Sequence, residues 1–221
     1  MTLNKFIVTA SACVATALLG AGAASASASA AAAAKVDTSG PTQLIETAAN
    51  TMVSEIAQRR AEFRKEPSKL YQLVDAVLLP HFDVDFAARA VLGTTWRSAS
   101  DDQRRRFVTA FYHSLLNNYG DALVDFTGDR IRVFPSNVAD DATRATVRTE
   151  VKRSNGQKVP VNYTLRKTDG GWKAWDVTIE GISYVKSFKE DFAAEINQKG
   201  LDAVIQRLET QASQSGVAQG A

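Results

Sequence analysis

The side chains able to perform acid–base, nucleophilic or metal chemistry are few in this sequence and far apart. The chain has two histidines, His81 and His113, and one cysteine, Cys13. One cysteine cannot form an internal disulfide or a cysteine-based zinc finger, and two distant histidines do not make a histidine-rich metal site. The sequence has no nucleophile-elbow, P-loop, dinucleotide-binding or H-E-x-x-H motif. This inventory disfavours the common enzyme classes, and we expect no metal and no cofactor.

Two pairs of carboxylates could still do chemistry. Asp83 and Asp85 have the spacing of a paired-carboxylate or metal site. Their position before an apolar segment favours a helix N-cap and a favourable charge beside it. Asp176 or Glu180 could act as a base in the apolar pocket of a small cone-shaped α+β enzyme. The sequence provides neither a paired histidine nor a clear oxyanion donor, so an enzyme is the alternative and not the preferred hypothesis.

The consecutive arginines at 104–106 are the densest positive charge. Three successive helical residues point around about half of a helix, so they cannot form one phosphate clamp. We expect them to pair with Asp101 and Asp102 one turn earlier, while contact with lipid headgroups or an acidic partner stays open. With 26 basic against 24 acidic residues, the net charge of +2 argues against nucleic-acid binding.

The first 28 residues have the pattern of a secretory signal peptide. Lys5 precedes a short apolar run from Phe6 to Leu19, and small residues that fit A-x-A cleavage follow at about 26–30. The run is too short for a transmembrane helix. We therefore predict cleavage and export to the periplasm or the exterior, with a low-complexity linker over 29–40 and a disordered tail over 211–221.

Between these segments, residues 41–210 are predicted to form one α+β domain. Helical periodicity begins at Pro41 and Pro67, covers Phe82–Leu92, and resumes after the Ser100–Gln103 capping box. Alternation of apolar and polar residues from about 131 to 179 predicts a curved antiparallel sheet of about four strands, with a hairpin at Asn155-Gly156. One or two helices follow from about Tyr184. Such a sheet covered by helices encloses an apolar space.

Two sequence blocks resemble one family. The first is Ala88-Arg89-Ala90-Val91-Leu92-Gly93 followed by Trp96, Gln103, Phe107, Phe111, Leu115 and Tyr119. The second is Trp172-Lys173-Ala174-Trp175-Asp176-Val177, Ile179-Glu180-Gly181-Ile182-Ser183, then Phe188, Phe192, Ile196, Gly200, Leu201 and Leu208. Together they resemble the MlaC family of periplasmic phospholipid-binding proteins, also called the toluene-tolerance auxiliary family, over about residues 42–208.

The resemblance implies a soluble carrier that shuttles phospholipid between an outer-membrane lipoprotein complex and the lipid-binding domain of an inner-membrane ABC transporter, in the Mla pathway of outer-membrane lipid asymmetry. It implies acyl chains in a deep apolar pocket and a headgroup near its mouth. We expect a monomer. A structural adaptor of the cell envelope with a filled core remains a further alternative.

The resemblance also directs the choice of pocket residues, each of which could instead belong to an ordinary core. We predict that lipid contacts helix residues Phe107, Phe111, Leu115 and Tyr119, and sheet residues Val147, Val161, Tyr163, Trp175, Val177 and Ile179, while Val91, Leu92, Ile182 and Tyr184 close the mouth or floor.

Overall fold

A computed structural model describes residues 36–124, 131–152 and 155–214, except for the side chains of 119–122. The predicted signal peptide and most of the linker therefore lie outside the described residues. Five helices precede the sheet within these ranges: α1 Pro41–Lys65, α2 Pro67–Val77, α3 Val84–Leu92, the short α4 Thr95–Ser98 and α5 Asp101–Val124. The strands are β1 Ile131–Val133, β2 Arg144–Lys152, β3 Lys158–Thr168, β4 Gly171–Ile179 and β5 Ile182–Ser183, and the chain continues through α6 Tyr184–Lys199 and α7 Leu201–Gln214.

The helix starts follow the local signals in the sequence. Pro41 and Pro67 occupy first-turn positions, where a missing N–H costs nothing. The capping box forms reciprocally: the Gln103 N–H donates to Ser100 Oγ at 3.1 Å, and the Ser100 N–H donates to Gln103 Oε1 at 2.9 Å.

The third helix begins two residues later than predicted. Asp83 Oδ1 accepts the Phe86 N–H at 3.1 Å and caps α3, which is the structural role favoured for this carboxylate. Phe82 is extended and forms a bridge with Ala174, preceded by a 3₁₀ turn at Leu79–His81. The apolar periodicity overlooked this bridge because the partner is distant in sequence.

The antiparallel sheet has the order β1-β2-β3-β4-β5, so every strand pairs with its neighbours along the chain. The predicted α+β meander is confirmed, with the two-residue β5 as an addition. A register shift after Thr164 pairs Leu165 with Ala174 and Thr164 with Asp176, which leaves Trp175 as the extra residue of a β-bulge.

Three apolar clusters hold these layers together. The helical cluster joins α3, α5, α6 and α7 around Phe107 and Phe111. A second cluster joins α1, α2 and α5 around Ile56, Phe63 and Leu70. The sheet cluster packs Leu44 and Ile45 of α1 against one end of the sheet. Burial of this apolar surface is the main stabilising contribution to such a fold.

The last helix extends beyond the predicted end of the domain. α7 runs to Gln214, whereas the tail was predicted from residue 211. Val204, Ile205 and Leu208 are buried against the helical cluster. Among the helices of the described segments, none is both long and apolar enough to cross a membrane.

Candidate functional site

The inner face of the sheet is largely apolar, but its two ends differ in how they are covered. At the end near the β3–β4 turn, Val147 and Leu165 are fully buried. They pack with Leu44 and Ile45 of α1 in the sheet cluster. This end is filled by side chains.

At the opposite end the inner face carries Val161, Tyr163, Val177 and Ile179. The strand register places Val161 beside Ile179 and Tyr163 beside Val177. Val161 is only 7% exposed, and Val177 and Ile179 are half-buried. Yet Val161, Val177 and Ile179 belong to none of the three clusters described above. We call these four residues the apolar sheet patch.

Polar groups at this patch are satisfied or neutral. The buried Thr149 hydroxyl donates its proton to the Val161 carbonyl at 2.8 Å, so its donor is satisfied within the sheet. Burial raises the pKa of Tyr163, which keeps its phenol protonated at neutral pH. The patch therefore suits a ligand that needs no hydrogen bonds.

The predicted helical contacts lie in the helical cluster. Val91, Leu92, Phe107 and Phe111 are buried there, and Leu115 packs at its margin. The Phe107 and Phe111 rings are stacked with centroids 5.8 Å apart, so these residues contact one another and the facing helices.

The remaining predicted residues fall in several places. Trp175 packs against the helical cluster, with its ring edge-on to Phe86 at 5.1 Å. Ile182 is 62% exposed at the turn into β5. Tyr184 is half-buried and its ring lies 6.3 Å from that of Phe188, and the side chain of Tyr119 lies outside the described residues.

Asp176, the carboxylate of the enzyme hypothesis, has a structural position. Its Oδ2 accepts from Ser183 Oγ at 2.7 Å and its Oδ1 accepts from the Val185 N–H at 3.1 Å. It thus anchors the start of α6 to β4. Glu180 is exposed in the following turn. The two carboxylates do not share a site.

The predicted pairing of the arginine run is present. Arg104 pairs with Asp101 at 3.1 Å and Arg105 with Asp102 at 3.2 Å. Arg106 also makes two hydrogen bonds to Glu209 of α7, at 2.9 and 2.8 Å. The run therefore fastens α7 to α5, a long-range contact that the sequence does not reveal.

A polar cluster between α2 and α5 was also missed. The Tyr112 hydroxyl donates to Asp75, and His113 is adjacent. Burial raises the pKa of Asp75 and lowers the pKa of His113. Across the described ranges, no group of three histidine, cysteine or acidic side chains could hold a metal ion.

The fold and the apolar sheet patch define a class of binding proteins with helices packed over one curved sheet. The fold is shared, with a TM-score of 0.71, with a solved structure of the phospholipid-binding protein from Ralstonia solanacearum in complex with a phospholipid. That protein is 26% identical, and the similarity covers 78% of this chain and 96% of that one.

Residues 46–210 match the family model described as MlaC protein, so this chain belongs to the MlaC family. It is similar to the toluene tolerance protein ttg2D of Pseudomonas putida, with 29% identity over 73% of this chain and 75% of that protein. It is also similar to the intermembrane phospholipid transport system binding protein MlaC of Haemophilus influenzae. There the identity is 25% over 80% of this chain and 84% of that protein.

Proposed function

We propose that this protein binds phospholipid and carries it through water, with the acyl chains lying against the apolar sheet patch. The observation that carries the proposal is the apolar surface of Val161, Val177 and Ile179, which among the described residues lies outside all three side-chain clusters. The phospholipid in the Ralstonia relative supports the same cargo.

The energetics explain why a carrier needs such a surface. Exposing an acyl chain to water costs about 0.8 kcal/mol per methylene, so ten exposed methylenes cost about 8 kcal/mol. A dry apolar wall in contact with the acyl chain removes this cost, and it needs no hydrogen bond to the chain. The four residues of the patch supply that wall.

The route of transport is a further part of the proposal. The amino-terminal pattern supports export to the periplasm. There, the protein would exchange lipid with an outer-membrane lipoprotein complex and with the lipid-binding domain of an inner-membrane ABC transporter. The name of the Haemophilus relative, an intermembrane transport binding protein, supports this route.

The first test is organic extraction of the natively purified protein followed by lipid mass spectrometry. We expect near-stoichiometric phospholipid. Lipid-free protein that also takes no lipid from vesicles would overturn the proposal and favour an envelope adaptor with a filled core.

A pair of variants locates the site. Val177→Glu places a charge on the apolar sheet patch, where burial of an unpaired carboxylate is costly, and should abolish lipid retention. Thr178→Glu places the same charge on the opposite face of the same strand and should retain lipid. Circular dichroism confirms that both variants fold. Normal lipid content in folded Val177→Glu would remove the patch from the binding site.

A further inference from the structure

The outer face of the sheet is strongly basic, in contrast to its apolar inner face. The side chains that alternate with the buried ones include seven cations, which we call the basic face: Arg132, Arg144, Arg148, Lys152, Lys158, Arg166 and Lys173. The first five are exposed, whereas Arg166 and Lys173 are half-buried.

Few acidic groups neutralise the basic face. Lys158 pairs with Glu150 at 3.0 Å, and Arg166 pairs with Asp83. Among the residues that the structure describes, the other five cations have no carboxylate in salt-bridge contact. The whole chain carries a net charge of only +2. The basic face therefore carries an excess of positive charge that the nearly neutral chain as a whole does not have.

The strand register also sets like charges side by side. Arg144 lies opposite Arg166, Arg166 lies opposite Lys173, and Lys152 lies opposite Lys158. Like charges directly opposite each other destabilise a sheet. Glu150 neutralises Lys158 and Asp83 neutralises Arg166. Among the described residues, the remaining cations of these rows, Arg144, Lys152 and Lys173, would be neutralised only by a surface that carries negative charge.

The shape and chemistry of the face favour a partner with spread-out negative charge. Nine residues of β2 span roughly 30 Å, and adjacent strands are about 4.8 Å apart, so the charges cover a broad area. Between them lie the polar or small side chains of Thr146, Pro160 and Asn162. The aromatic rings beside the face are covered by its own cations, with Arg132 over Phe134 at 4.8 Å and Arg166 over Phe86 at 4.6 Å, so neither ring stands free to anchor a protein interface. We propose that the basic face docks on the surface of an anionic phospholipid bilayer. This goes beyond cargo binding and does not depend on it.

The test is flotation of the full mature protein with vesicles of phosphatidylcholine containing 30% phosphatidylglycerol. We expect binding at low salt, loss of binding at roughly 0.5 M NaCl, and little binding to pure phosphatidylcholine. The double variant Arg144→Glu/Arg148→Glu should bind these vesicles at least roughly tenfold more weakly than the wild-type protein. The matched control Arg89→Glu/Arg97→Glu makes the same charge change at exposed helical positions and should keep binding.

The outcomes separate this proposal from the proposed function. Equal binding by both double variants, or no binding to anionic vesicles at low salt, would overturn membrane docking. Capture by an acidic protein without vesicle binding would overturn it too. The content of bound lipid is measured in parallel for each purified variant. A variant that no longer binds vesicles but keeps its bound lipid supports docking by a surface separate from the cargo site.

Discussion

At the residue scale, the pKa values of the two histidines reflect their surroundings. Burial lowers the pKa of both His81 and His113. Lys173 lowers the pKa of His81 further, whereas Asp75 opposes the effect of burial at His113. The charged neighbour of His81 is therefore a cation, Lys173, and the charged neighbour of His113 is an anion, Asp75.

Two substitutions should therefore move the two titrations independently. Lys173→Gln should raise the pKa of His81 and leave His113 unchanged, while Asp75→Asn should lower the pKa of His113 and leave His81 unchanged. Because the chain has only two histidines, their ring C–H resonances can be followed by NMR through a pH titration. Each variant serves as the control for the other. A shift of both resonances in either variant would contradict the assigned neighbours.

The same pKa directions determine how stability depends on pH. The folded state holds both imidazoles neutral below their ordinary pKa of 6.5, where the unfolded chain binds protons. The two histidines therefore make their full contribution to the free energy of unfolding above pH 6.5. This contribution decreases as the pH falls below 6.5.

At the scale of elements, the turn between β4 and β5 is a two-residue hairpin loop. Glu180 has φ 51° and Gly181 has φ 85°, and the flanking Ile179 and Ile182 are paired. Positive φ at both loop positions is typical of a type I′ turn, which favours asparagine followed by glycine. Glutamate at the first position carries backbone strain.

Relieving or adding strain at this turn should change stability in opposite directions. Glu180→Asn should raise the free energy of unfolding by about 0.5 to 1 kcal/mol. Gly181→Ala should lower it by about 1 kcal/mol or more through its backbone alone, since no atom lies within 4 Å of the added methyl position. Urea unfolding measures both. Destabilisation by Glu180→Asn would mean that the interaction made by Glu180 outweighs the backbone strain that asparagine relieves.

The elements also show where sequence reasoning succeeds and where it fails. Signals that act within a few residues, such as Pro41, the Ser100–Gln103 box and Asn155-Gly156, predict the helix starts and a hairpin correctly. The bulge at Trp175 depends on the register with β3, so alternation alone placed Trp175 with Val177 and Ile179 on one face. The separation of the helical cluster from the apolar sheet patch likewise depends on packing between distant segments, which periodicity does not encode.

At the scale of the whole molecule, the sheet separates two kinds of surface. Its inner face is apolar and its outer face is basic, and the two faces are separated only by the backbone of the strands. An acyl chain and an anionic bilayer could therefore contact opposite sides of the same strands. Each contact depends on different side chains, so each can be removed alone.

If lipid occupies the inner face, it contributes to the stability of the whole fold. A ligand at 100 times its Kd adds about 2.7 kcal/mol, which for a chain of this size corresponds to roughly 5 to 10 °C in Tm. Delipidated protein should therefore melt lower by that amount in calorimetry, and readdition of phospholipid should restore the Tm. Val177→Glu should show no change between the two treatments. An identical Tm for loaded and delipidated wild-type protein would contradict cargo burial in the fold.

The sequential order of the strands has a consequence for how the chain acquires its structure. Each hairpin of the sheet can form from adjacent residues, so the sheet assembles by local steps. α1 is different, because its first turn reaches the sheet layer through Thr42 and Ser136, 94 residues apart. The apolar stripe of Leu44 and Ile45 has no sheet to cover until the second half of the chain is available. During synthesis, which proceeds from the amino end, α1 is therefore made early, and its apolar stripe stays uncovered until the strands have been made.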